Sequence, residues 1–108
     1  MNAYMEEIFY ISQHNYSRLK EILEENPYDE KSFARVGYKI REARSLGIEE
    51  DGFFLYIKAD EEFLKNAKKK LSDVINNCEE EILKKAKKAF EEEENNAIIG
   101  FGLMFNER

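Results

Sequence analysis

A chain of 108 residues with a formal net charge of −6 has room for one hydrophobic core and too little for two, so it reads as a single domain over residues 1–108. The negative balance repels nucleic acid and anionic membrane over most of the surface. No run approaches the roughly 20 apolar residues of a bilayer span, and acidic Glu6 and Glu7 stand where a signal peptide would be basic. The single cysteine, Cys78, excludes an intrachain disulfide and suits a reducing, cytoplasmic setting.

Eight Phe and six Tyr promise an aromatic core, so the abundant charge does not imply disorder. Charge carried mainly by Lys and Glu, with scarce Pro, Gly and Trp, resembles usage in proteins of high-temperature organisms.

Taken in chain order, Met5 to Ser12 contains the run Ile8-Phe9-Tyr10-Ile11 and favours a short strand, although Met5, Ile8, Tyr16 and Leu19 also fit a helical period. From Tyr16, the residues Leu19, Ile22 and Leu23 form one helical stripe, which Asn26-Pro27 ends. Asp29 is a suitable N-cap for a second helix carrying Phe33, Val36, Ile40 and Ala43 at spacings of three and four, with Gly47 as its C-terminal cap. Gly52 then opens a strand, Phe53 to Ala59, and Asp60-Glu61-Glu62 starts the next helix.

Apolar positions keep a helical rhythm from Leu64 to Phe90. One helix from Asp60 to Glu94 would span about 50 Å, against a radius of gyration near 13 Å for a domain of this size. A break is therefore expected between Ser72 and Asn77, where Ser, Asp and Asn supply turn chemistry. The closing run Ile98 to Phe105 is expected as a last strand, with Ile99, Phe101, Leu103 and Phe105 facing the core.

These elements predict an α+β fold with a small three-stranded, mainly antiparallel sheet and about four helices, in the order β-α-α-β-α-α-β.

The second helix holds the most function-like pattern. Between Lys31 and Leu46 five basic residues face one acid, a local balance of +4 in a chain of net −6. Arg35, Tyr38, Lys39, Arg41 and Arg44 are candidate ligand residues for phosphate groups of a nucleotide or RNA backbone, through charge-assisted hydrogen bonds. Their ordinary alternative is pairing with acids such as Glu24, Glu25 and Glu49. His14, in a polar strand-to-helix junction, is a further ligand candidate.

Glu91 to Glu94 places carboxylates where a helix end would disfavour them. Such a run signals either a cation or basic partner, or a frayed, solvated terminus. Consecutive glutamates on a helix diverge, so no metal site is expected, and nothing calls for a cofactor. Cys78 lies on an apolar stripe and reads as a small buried hydrophobe, not a nucleophile.

The second face of the expected last strand, Ile98, Gly100, Gly102 and Met104, is flat and apolar. With Phe54 and Tyr56 of the middle strand it forms a candidate interface. Either the chain's own helices cover that face or a second copy does. The leading expectation is a non-catalytic interaction or regulatory module that self-associates as a dimer through its sheet. A phosphate-ligand or RNA-binding domain using the basic segment is the alternative, with nucleic acid disfavoured by overall charge. A small enzyme of unidentified reaction is the third.

Overall fold

The computed structural model describes residues 4–30 and 32–106, and for residues 95–106 the course of the backbone alone. Strand β1 (Met5–Ile11) leads through a short 3-10 turn into helix α1 (Tyr16–Leu23). The single-turn helix α2 (Phe33–Val36) precedes strand β2 (Tyr38–Glu42), a second 3-10 turn (Ala43–Leu46) and strand β3 (Phe53–Ala59). Helices α3 (Glu61–Leu71) and α4 (Glu80–Asn106) follow.

The three strands form one antiparallel sheet in the order β1-β3-β2, with Phe9 opposite Leu55 and Ile40 opposite the same residue from the other side. Alternation along the strands gives the sheet two apolar faces. On one, Phe9, Ile11, Leu55 and Ile57 pack with Leu19 and Leu23 of α1, Phe33 of α2, and Leu64 and Leu71 of α3. On the other, Phe54 and Tyr56 pack with Ala86 and Phe90 of α4, joined by Ala43 and Ile48. Helices thus sandwich a sheet only three strands wide.

Local chemistry explains most boundaries. Asp60 caps α3 by accepting a hydrogen bond from Phe63 N at 2.8 Å, supported by Glu61 and Glu62 in the first turn. The expected break after α3 is present: Ser72 to Glu79 leaves the helical period and carries the chain from one side of the sheet to the other. Asn76 pins this crossing. Its N–H donates to the Tyr10 carbonyl at 2.8 Å, and its side-chain oxygen accepts from Ser12 N and Asn15 Nδ2. At Gly52, φ of 108° and a β-carbon position 2.6 Å from the Ile11 carbonyl exclude any side chain.

The three-stranded antiparallel sheet, the four helices and their order in outline are as expected. The third strand, however, lies elsewhere. Residues 98–105 continue α4 as helix, so the flat strand face of Ile98, Gly100, Gly102 and Met104 does not exist. A short apolar run fits strand and helix equally well, and here the upstream helix of good helix formers runs on.

The missing strand is β2, inside the segment expected to be one helix from Asp29 to Gly47. Gly37, at φ 81°, ends α2 after one turn, in a conformation that costs glycine little and other residues more. Gly47 does cap, at φ 79°, but it ends the 3-10 turn and not a long helix.

Candidate functional site

The basic segment does not form one helical stripe. Lys31 lies outside the described residues. Arg35 is exposed on α2 and donates to the Tyr28 carbonyl at 3.3 Å. Lys39 and Arg41, on alternate positions of β2, meet Glu94 and Glu93 of α4 at 2.9 and 3.3 Å. Arg44 pairs with Asp51 at 3.0 Å. Pairing with acids therefore holds for Lys39, Arg41 and Arg44, with partners more than 50 residues away for Lys39 and Arg41 and seven residues away for Arg44.

These contacts also account for two of the four carboxylates in Glu91 to Glu94. The run sits inside α4 and not at its end, so the macrodipole conflict disappears. Glu93 and Glu94 fasten the helix to edge strand β2. On the opposite edge, Lys87 approaches Glu6 at 3.7 Å, and Tyr56 donates its hydroxyl to Glu6 at 2.6 Å. Burial, reinforced by the Glu6 contact, pushes the Tyr56 phenol far up, holding it neutral. Between these polar contacts, Phe90 stacks on Tyr56 with centroids 5.1 Å apart and planes at 13°.

The expected interface residues Phe54 and Tyr56 are accordingly buried beneath the chain's own α4, at 0% and 3% exposure. Side chains of Ile98, Gly100, Gly102 and Met104 lie outside the described residues.

His14 is exposed on the 3-10 turn before α1. Cys78 is half-buried against the α4 side of the core, where burial, then the charges of Glu50 and Glu79, push its thiol up and away from the reactive thiolate. Among the described residues no cluster of His, Cys, Asp and Glu has the makings of a metal site, and no helix is long and apolar enough to cross a membrane.

A groove of about 580 Å³ runs between α1 and the free side of β2. Tyr16 and Lys20, one turn apart on α1, form one bank; Tyr38, Arg41 and Ser45 come from β2 and the turn after it, and Phe53 from the start of β3. Tyr16 stacks on Phe53 at 4.1 Å and 23°. Two smaller depressions, of about 220 and 290 Å³, lie beside Arg18 and Lys70 and beside Lys39 and Lys58.

The strand edge in the groove is already dressed. Ala43 N bonds the Gly52 carbonyl, so by antiparallel alternation the backbone groups of Ile40 and Glu42 point away from β3. The Ile40 carbonyl accepts from Arg41 Nη1 at 2.9 Å, and the Glu42 carbonyl from the Ser45 hydroxyl at 2.7 Å. Another strand cannot take those two acceptors without displacing the caps.

Tyr38 and Arg41 were foreseeable as ligand residues from the basic segment. Tyr16, Lys20, Ser45 and Phe53 were not, because only the placement of α1 beside the β2 edge brings them together.

Fold and groove together define a small α+β module with helices on both faces of its sheet and an aromatic, cationic groove at one edge. No protein-family model, curated protein or solved structure matches the chain, so its function is argued from its own residues.

Proposed function

We propose that this chain is a non-catalytic interaction module that pairs with a second copy of itself, through the apolar end of α4 and not through a sheet face. The carrying observation is the position of the run Ala97 to Phe105. Its nine residues hold no charge and continue a helix whose described ion pairs to the sheet, at Lys87, Glu93 and Glu94, all precede the run. A helix apolar all round needs cover. Both faces of the chain's own sheet are already occupied by helices, which favours cover from another molecule. Twelve residues past Glu94 correspond to about 18 Å of helix, ample for a helix-to-helix contact.

A cytoplasmic setting fits this reading, since free Cys78 is stable where thiols stay reduced. Native mass spectrometry of the full chain tests it: a defined dimer is expected, converted to monomer by Gly102→Glu with the circular dichroism of the fold unchanged. A wild-type monomer at high concentration would refute the reading.

A small anionic ligand is a second reading, favoured by the groove between α1 and β2. Long nucleic acid is the less suitable ligand, because the neighbouring cations Lys39 and Arg44 are engaged with carboxylates and the chain as a whole is acidic.

A further inference from the structure

We propose that the groove between α1 and β2 binds a small ligand joining a planar aromatic ring to a phosphate, the chemistry of a mononucleotide; this rests on reading the groove as a ligand site. Its volume of about 580 Å³ lies inside the range of roughly 300–1,000 Å³ typical of small-molecule sites. Its lining divides by chemistry into a part for a ring and a part for an anion.

The ring part is aromatic and already ordered. Tyr16 is held against Phe53 by the 4.1 Å stack, and Tyr38 stands half-buried on the β2 bank. A heteroaromatic ring entering here finds aromatic surface from both banks, an arrangement that tolerates any base because every base presents a π-face.

The anion part is cationic, and its two charges are held differently. Arg41 is positioned by donating from Nε to Glu93 and from Nη1 to the Ile40 carbonyl. A guanidinium has five N–H donors, so donors remain for a phosphate in a side chain that is already oriented. Lys20 pairs with Glu24 one turn along α1, at 3.4 Å, with 39% and 64% of the two side chains exposed. Such a pair is weak and exchangeable. The Glu24 hydrogen bond, then its charge, raise the Lys20 pKa.

The same lining disfavours a long polyanion. Glu42 also faces the groove, and the neighbouring cations Lys39 and Arg44 are paired with Glu94 and Asp51. One phosphate beside one ring is accommodated; a continuous backbone has no cationic track to follow.

The experiment is an aromatic NMR titration of the full chain, following Tyr16, Tyr38 and Phe53, with adenosine monophosphate, adenosine, inorganic phosphate and a single-stranded RNA oligomer as separate probes. Adenosine monophosphate is expected to give saturable shifts at all three rings. Adenosine and phosphate should each bind about tenfold more weakly or worse, since each keeps one half of the recognition. Lys20→Gln should weaken the nucleotide about tenfold without changing adenosine, the circular dichroism or the melting temperature.

Absence of saturable shifts from any probe up to about 10 mM, beyond the range of useful affinity, would overturn the groove as a ligand site altogether. Phosphate binding as tightly as the nucleotide would leave the site standing and overturn the ring-plus-phosphate class. RNA binding more tightly than the mononucleotide, with steep salt dependence, would overturn the small-ligand assignment.

Discussion

Phe90→Ala probes which of the two expected covers is in place, namely that α4 and not a second molecule covers the sheet face of Phe54 and Tyr56. Phe90 is fully buried and stacks on Tyr56. A buried phenylalanine removes about 150–250 Å² from water, which at about 25 cal/mol per Å² corresponds to about 4–6 kcal/mol as an upper bound. Alanine retains part of that burial, while the lost ring stack adds about 0.5–1.5 kcal/mol. The expected loss is therefore about 3–5 kcal/mol, the range observed for such core truncations.

Urea unfolding measures this as a lowered midpoint at nearly constant slope. Hydrogen exchange should show protection lost first in α4. Leu55→Ala, on the face of β3 opposite Phe54 and Tyr56, should cost a comparable amount without singling out α4. A loss below about 1 kcal/mol for Phe90→Ala, with α4 protection unchanged, would refute α4 as the cover of this face.

Gly52→Ala should cost about 1–3 kcal/mol in urea unfolding, because a β-carbon would meet the Ile11 carbonyl at 2.6 Å on a backbone with φ of 108°. Asp60→Ala removes the acceptor for Phe63 N and should cost about 1 kcal/mol, a melting-temperature drop of roughly 4–8 °C for a domain near this size.

Tyr56→Phe deletes the hydroxyl bond to Glu6 and should cost about 1.5–3 kcal/mol at neutral pH. The pH dependence has a definite sign: burial, above all, keeps Tyr56 and Tyr10 protonated in the fold, while the unfolded chain ionises them at their ordinary value near 10. Wild-type stability should fall as pH rises through that value. Unfolding at pH 9 and 11 should show the gap to Tyr56→Phe narrowing, and a gap of constant size would contradict the assignment.

Elements whose pattern is long and locally capped were legible without coordinates. In α1 the stripe Leu19, Ile22 and Leu23 marks the helix, which ends at Leu23, shortly before Asn26-Pro27; in α3 an acid-rich start follows a clear strand. The need for a break after α3 followed from length, and its place between Ser72 and Asn77 from the turn chemistry of Ser, Asp and Asn. Strand β2 was missed because its five residues alternate over too short a span to outweigh Phe33, Val36, Ile40 and Ala43, whose helical spacing is coincidental. Gly37 was the available signal, standing directly before the strand-prone Tyr38-Lys39-Ile40.

At the chain's other end, an apolar run with two glycines invited a strand reading, and nothing local opposed it. The groove was half legible: charge clustering drew attention to Tyr38 and Arg41. Tyr16, Lys20 and Phe53 carry no mark in sequence, since their convergence is a product of tertiary placement.

The crossing pinned by Asn76 has a mechanical consequence. Because α3 and α4 are successive in the chain yet lie on opposite sides of the sheet, a pull on the far end of α4 loads that helix first. It can peel from Phe54 and Tyr56 while the layer of α1 and α3 bears no force. The load reaches that layer only at Asn76, where hydrogen bonds to Tyr10, Ser12 and Asn15 must be strained together. The molecule should therefore yield in two stages under tension, a soft one on the α4 side and a stiffer one behind this asparagine.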